Sequence, residues 1–141
     1  MSRQIEDRNR RMLRARDLMD RSYAEPLNVS ALARVTHTSP AHFSRTFVAT
    51  FGETPHRYLQ RRRVERAARL LRETDQTVTD VCMAVGFTSL GTFSRTFSSI
   101  TGCSPSSYRR QRQDPLTVPD CAVMAWARVS SSGEVRPPST R

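Results

Sequence analysis

One five-residue word is written twice in this chain. Phe43-Ser44-Arg45-Thr46-Phe47 returns unchanged as Phe93-Ser94-Arg95-Thr96-Phe97, an offset of 93 − 43 = 50. At the same offset Ser39 answers to Ser89, Gly52 to Gly102, Pro55 to Pro105 and Tyr58 to Tyr108. Upstream the offset is 78 − 29 = 49, pairing Val29 with Val78, Leu32 with Val81 and Ala33 with Cys82. The second copy therefore holds one extra residue, near Thr88. Stacked repeats need about three copies to bury a continuous core, so two copies define two similar subdomains rather than a solenoid.

Each copy reads as helix, tight turn, helix. Asn28 or Thr77 caps a short first helix. Its apolar residues recur at helical spacing: Val29, Leu32 and Val35 in one copy, Val78, Val81 and Val85 in the other. The turn holds His37 or Gly86, and glycine is the better match where φ must be positive. Ser39 or Ser89 caps a longer second helix, and Pro40 takes the favoured first helical position. Phe43, Phe47 and Phe51 share one face of that helix, as do Phe93, Phe97 and Ile100, and Gly52 and Gly102 end the two helices.

This is the helix-turn-helix plan, in which the second, recognition helix enters the major groove of DNA. The recognition helices are expected over 39–51 and 89–101, with their phenylalanines in the core. The opposite face offers Ala41, His42, Ser44 and Arg45 in the first copy, and Leu90, Gly91, Thr92, Ser94 and Arg95 in the second. An identical S-R-T-F context gives Arg45 and Arg95 a shared role, in base or phosphate contact.

Between the copies, Val64, Ala67, Ala68 and Leu71 form the i, i+3, i+4, i+7 stripe of an amphipathic helix opened by Pro55. This long central helix is expected over 55–73, joining subdomains at 1–54 and 74–110. From Pro55 to Arg72 it has seven arginines and one acid, Glu65, hence +6. Such a face either contacts phosphates or is merely solvated. Ile5, Met12, Ala15, Leu18, Met19 and Tyr23 fit another amphipathic helix that ends before Glu25-Pro26 and packs on the first subdomain. Ser104 or Pro105 opens a short helix through Tyr108-Arg109-Arg110. Residues 111–141 read as a disordered tail, rich in proline and serine, with one apolar cluster around Trp126.

Charge agrees with a polyanionic partner. The chain of 141 residues carries +10, with arginine as its only strong base. Coding bias toward arginine explains the missing lysine but not the positive surplus, and the guanidinium fork suits phosphate and guanine. The surplus is concentrated: 19 arginines and 10 acids in residues 1–110 give +9. No membrane span or leader is expected, since no run of about 18 apolar residues occurs and the first 16 residues are polar. Cys82, Cys103 and Cys121 lie far apart without a C-x-x-C pair, so a disulfide framework or zinc site is not expected and a reducing cytoplasm fits. His37, His42 and His56 have no ligand spacing. No nucleophile–base pair or phosphate-cradling glycine loop is visible, so neither enzyme activity nor a cofactor is expected.

The combined motifs resemble the DNA-binding domain of the AraC/XylS family of bacterial transcription regulators over about Ile5 to Arg110. The first half carries Leu32-Ala33, Ser39-x-x-His42-Phe43-Ser44-Arg45-x-Phe47, Gly52-x-x-Pro55-x-x-Tyr58-Leu59 and Arg63-Val64-x-x-Ala67-x-x-Leu70-Leu71. The second carries Val78-x-Asp80-Val81-x-x-x-Val85-Gly86-Phe87, Phe93-Ser94-Arg95-x-Phe97 and Gly102-x-Ser104-Pro105-x-x-Tyr108-Arg109. The resemblance implies an all-α domain of seven helices, two helix-turn-helix units bridged by the central helix. It implies recognition helices in successive major grooves about 34 Å apart, so that one chain reads its site without dimerising. Ser39, Ser89 and the amides opening each recognition helix, beside Pro40 in the first copy, become candidates for phosphate.

Some positions depart from the pattern. His37-Thr38 stands where glycine and an apolar residue are frequent, which should weaken that turn's packing. Leu90-Gly91 replaces polar residues; Leu90 suits a thymine methyl, Gly91 reads nothing through a side chain, and a glycine inside a helix costs about 1 kcal/mol. Ser98-Ser99 replaces a frequently basic pair. With no room here for a sensing domain, the chain is expected to be a stand-alone regulator, one signalled through a partner or the tail, or a piece of a longer product.

The functional expectation is a transcription regulator that binds double-stranded promoter DNA specifically, as a monomer or weak dimer, in the cytoplasm and nucleoid. A small-molecule effector within this chain is not expected. The alternative is a protein-interaction module contacting RNA polymerase or a partner regulator. Activators of the family commonly touch polymerase as well, so the two roles can coexist.

Overall fold

The computed structural model describes residues 2–111. Gln111, expected to open the tail, is helical, and the expectations for residues 112–141, with Cys121 and Trp126, lie outside the described residues. Seven helices follow in order: α1 Arg3–Arg21, α2 Val29–Val35, α3 Pro40–Phe51, α4 Pro55–Glu73, α5 Val78–Ala84, α6 Leu90–Thr101 and α7 Pro105–Gln111. There is no strand among the described residues. The chain divides into two compact units, and the division falls inside α4, between Leu59 and Gln60.

The ends of the helices are set by the capping chemistry of the sequence. Asn28 Oδ1 accepts from the Ala31 amide at 2.8 Å, and Thr77 Oγ1 from the Asp80 amide at 3.0 Å. Ser39 and Ser89 each accept from the third amide of their helix at 3.2 Å. Thr54 and Ser104 do the same for α4 and α7, just before Pro55 and Pro105. Each bond satisfies an amide that the helix itself leaves without a partner. Gly52 and Gly102 take φ of 82° and 88° and stop α3 and α6 in the left-handed region.

The first unit packs Met12, Ala15 and Met19 of α1 with Leu32 and Ala33 of α2, Phe43 and Phe47 of α3, and Tyr58 and Leu59 at the start of α4. Phe47 is the hub, with ring centroids 5.7 Å from Phe43, 4.7 Å from Phe51 and 5.9 Å from Tyr58. In the second unit the buried side chains are Val64, Ala67, Ala68 and Leu71 of α4, Val81, Cys82 and Val85, then Phe87, Phe93, Phe97, Ile100 and Tyr108. The ring ladder recurs: Phe87–Phe93 5.2 Å, Phe93–Phe97 5.7 Å, Phe97–Tyr108 5.5 Å.

The repeat extends further than the matching words. At an offset of 64 − 12 = 52, Met12, Ala15 and Met19 correspond to Val64, Ala67 and Leu71, all buried. Asp20 corresponds to Arg72, and these two hold the equivalent tyrosines. The Tyr58 hydroxyl donates to Asp20 Oδ1 at 2.7 Å, whereas Arg72 Nη1 donates to the Tyr108 hydroxyl at 2.6 Å. Helix α4 thus does for the second unit what α1 does for the first. Its opening turn does for the first unit what α7 does for the second. Arg109, next to Tyr108, donates to the carbonyls of Leu71 at 3.3 Å and Thr74 at 3.2 Å, satisfying acceptors at the end of α4.

One expectation about the first subdomain is corrected. Val35 was expected on the apolar face of α2, but it is 39% exposed. The inward position belongs to Thr36, 1% exposed, which stands at the place of Val85 at the offset of 49. Its hydroxyl donates to the Ala33 carbonyl at 3.0 Å and lies 2.9 Å from the Thr38 hydroxyl. Thr36 and Thr38 therefore replace the apolar pair Val85 and Phe87 together, and the turn exchanges apolar packing for a closed set of hydrogen bonds.

His37 does adopt the positive φ for which glycine was judged the better match, at 60°, against 100° for Gly86. A left-handed backbone costs an L-residue roughly 1–2 kcal/mol, part of which glycine returns through its freer unfolded chain. His37 is exposed, so little packing is lost on truncation. His37→Gly is expected to raise the unfolding free energy by up to about 1 kcal/mol in a urea melt. A lower midpoint would mean that the imidazole makes a contact stronger than the strain.

Candidate nucleic-acid interface

Burying Phe43, Thr46 and Phe47 turns the other side of α3 outward. Ala41, His42 and Arg45 are exposed there, with Ser44 half-buried on the flank. Ser39 and Pro40, at the mouth of the helix, are exposed as well. In α6 the buried set is Phe93, Phe97, Ile100 and Thr101. Ser89, Leu90, Gly91 and Arg95 are exposed, and Thr92 and Ser94 are half-buried. The structure thus gathers each unit's sequence-expected residues on the outer side of one helix.

Helical spacing adds a residue to each face. Val48 follows Ala41 at i+7 and Arg45 at i+3 and is 40% exposed, a size and chemistry suited to a thymine methyl. Ser98 holds the matching place after Gly91 and Arg95 and is half-buried. The 3.6-residue period carried one turn on from Arg45 and Arg95 was the signal that could have found both.

Gly91 is less costly than a helix-interior glycine, because it is the second residue of α6. A Cβ there would sit 3.4 Å from Arg95 Nη1. That is an ordinary contact, so a small side chain would fit beside Arg95, whose Nη2 donates to Thr92 Oγ1 at 3.4 Å.

The two helix mouths differ in donors. Pro40 has no N–H and the His42 amide is used by Ser39, so of the first three amide positions α3 leaves Ala41. The same positions in α6 leave Leu90 and Gly91, since Ser89 takes the Thr92 amide. These outward amides, at the positive end of a helix dipole, suit a phosphate oxygen.

Most of the arginines on α4 are engaged within the protein. Arg61 and Arg62 both reach Glu65, at 2.9 and 2.7 Å, and Arg69 reaches Glu73 at 3.4 Å. Arg72 holds Tyr108, as above. Arg63 lies over the Phe87 ring at 5.8 Å, and burial pulls its guanidinium below the usual arginine value. Much of the expected basic stripe therefore ties the helix to itself and to the second unit.

Cys82 is buried with Sγ 3.8 Å from the Ser89 carbonyl, and burial pushes its thiol up, away from the reactive thiolate. Cys103 is half-buried, with its Sγ 4.0 Å from the Thr101 hydroxyl. Among the described residues no cluster of three or more His, Cys, Asp or Glu could hold a metal ion. No described helix is long and apolar enough to cross a membrane.

Two capped recognition helices, each backed by a phenylalanine core, define a double helix-turn-helix domain. Residues 32–111 match the family described as a helix-turn-helix domain. The chain is 39% identical over 85 residues to the uncharacterized HTH-type transcriptional regulator YobQ of Bacillus subtilis, covering 60% of this chain and 35% of that protein. It is 40% identical over 82 residues to HTH-type transcriptional regulator Rv1931c of Mycobacterium tuberculosis, covering 58% and 32%. It spans about a third of the length of these relatives. The DNA-binding domain of AdpA, a global transcriptional factor solved in complex with a target DNA, superposes with a TM-score of 0.70 at 28% identity, over 75% of this chain and 97% of that one. The chain belongs to the AraC-type helix-turn-helix family of transcription regulators.

Proposed function

We propose that this chain regulates transcription by binding double-stranded promoter DNA specifically, with α3 and α6 each entering a major groove. The observation that carries this reading is the pairing of two solvent-facing recognition surfaces, Ala41/Arg45/Val48 and Gly91/Arg95 with the half-buried Ser98 beside them, on separately packed helices. The likeness to the AdpA domain, which was solved on its target, supports it. Arg45 and Arg95 supply the base or phosphate contacts. Their neighbours differ between the units, so the two half-sites differ in sequence. With two recognition helices in one chain, binding needs no second copy, and its place is the bacterial cytoplasm, where the chromosome lies. RNA polymerase is a second partner on this reading, with Met83 of α5, 58% exposed, as one of the apolar side chains available to it.

Selection of bound fragments from a genomic library by the purified protein tests the proposal. The expected result is a shared motif, with affinity that falls steeply in salt. Each neutralised phosphate adds about 0.9 to the slope of log K against log salt concentration. Recovery of no shared motif, with polymerase capture intact, would replace DNA reading by protein interaction as the main role.

A further inference from the structure

The recognition helices are poor in charge: α3 and α6 carry one arginine each, Arg45 and Arg95. Backbone affinity must come largely from other elements. A cleft of about 440 Å³ lies between the N-terminal half of α1 and the flank of α3. Arg8 and Arg11 line its α1 side, His42 and Thr46 its α3 side, and Ile5 adds an apolar surface. Asp7 also lines the cleft, but Arg10 holds it at 3.1 Å. Arg8 and Arg11 are exposed and pair with no carboxylate among the described residues. His42 follows Ala41 around the helix, so the cleft borders the outward face of α3.

We propose that this cleft is a second DNA-contacting element of the first unit, taking the sugar–phosphate backbone beside the groove that α3 enters. Arg8 and Arg11 meet phosphate oxygens through paired N–H donors, and Ile5 lies against deoxyribose. The inference rests on the DNA-binding reading above. It gives α1, expected from sequence only to pack on the first subdomain, a role in affinity.

The test uses the full chain with the double substitution Arg8→Ala/Arg11→Ala, titrated against its selected site and a random duplex at several salt concentrations. Affinity for both duplexes is expected to fall by a similar factor. The slope of log K against log salt should become shallower by about 2, one per lost phosphate contact. The thermal midpoint should stay put, because both side chains are exposed. A control, Arg3→Ala/Arg14→Ala, removes the same charge from exposed positions of α1 that do not line the cleft. An unchanged slope in the cleft variant, or an equal change in the control, overturns the proposal while leaving the DNA reading standing. A wild-type chain that binds neither duplex overturns the DNA reading itself.

Discussion

Replacing Phe97 by alanine is expected to lower the unfolding free energy by about 3–5 kcal/mol, the range for a fully buried phenylalanine. Its ring is 0% exposed and sits between Phe93 and Tyr108, nearly perpendicular to the latter at 84°. Aromatic pairs of this geometry add roughly 0.5–1.5 kcal/mol beyond their buried area. Small domains have only about 5–15 kcal/mol in total, so the loss removes a large part of the stability. A urea melt followed by far-ultraviolet circular dichroism reads the effect. Ser99→Ala, on the exposed side of the same helix, should stay within about 0.5 kcal/mol of the parent. A Phe97→Ala loss under 1 kcal/mol would mean that the ring is not packed between Phe93 and Tyr108 as the distances indicate.

The second large effect is on recognition. Arg45→Ala is expected to weaken binding to the selected site by about 1–3 kcal/mol, five- to 150-fold, and to change random-duplex binding far less. Arg45 is exposed on the outward face of α3 and stability should hardly move. Arg45→Lys keeps the charge but lacks the planar fork, so it should recover random-duplex affinity and not specificity. Equal losses on both duplexes would assign Arg45 to phosphate rather than to a base edge. The measurement is a pair of fluorescence-anisotropy titrations at one salt concentration.

The helices, their caps and their phenylalanine faces were legible because the chain states them twice. Ser39 with Phe43 and Phe47, and Ser89 with Phe93 and Phe97, constrain each other as two readings of one pattern. Thr36 was missed because a threonine usually counts against burial, yet its hydroxyl is satisfied by the Ala33 carbonyl and Thr38. The kinship of α1 with α4 was hidden by an offset of 52 rather than 50, and by a change of Asp20 for Arg72 that reverses the hydrogen bond to tyrosine. Among the arginines of α4, spacing allowed a pairing with Glu65 but could not say that Arg61 and Arg62 share it. The outward residues of the two faces were mostly legible, because they are what remains once the core stripe is removed. Arg8 and Arg11 were not, since a cleft between helices distant in sequence leaves no mark on local periodicity.

The shared ownership of α4 bears on how such chains can be cut and recombined. Pro55 to Leu59 belongs to the core of the first unit, although it opens the helix whose later turns wall the second. A chimaera joined at the loop before Pro55 would graft a foreign Tyr58 and Leu59 onto a native Phe47, mixing two ancestries within one core. The natural seam for exchanging half-sites lies in mid-helix, at the Leu59–Gln60 bond, where a loop-based view of modularity would least expect a junction.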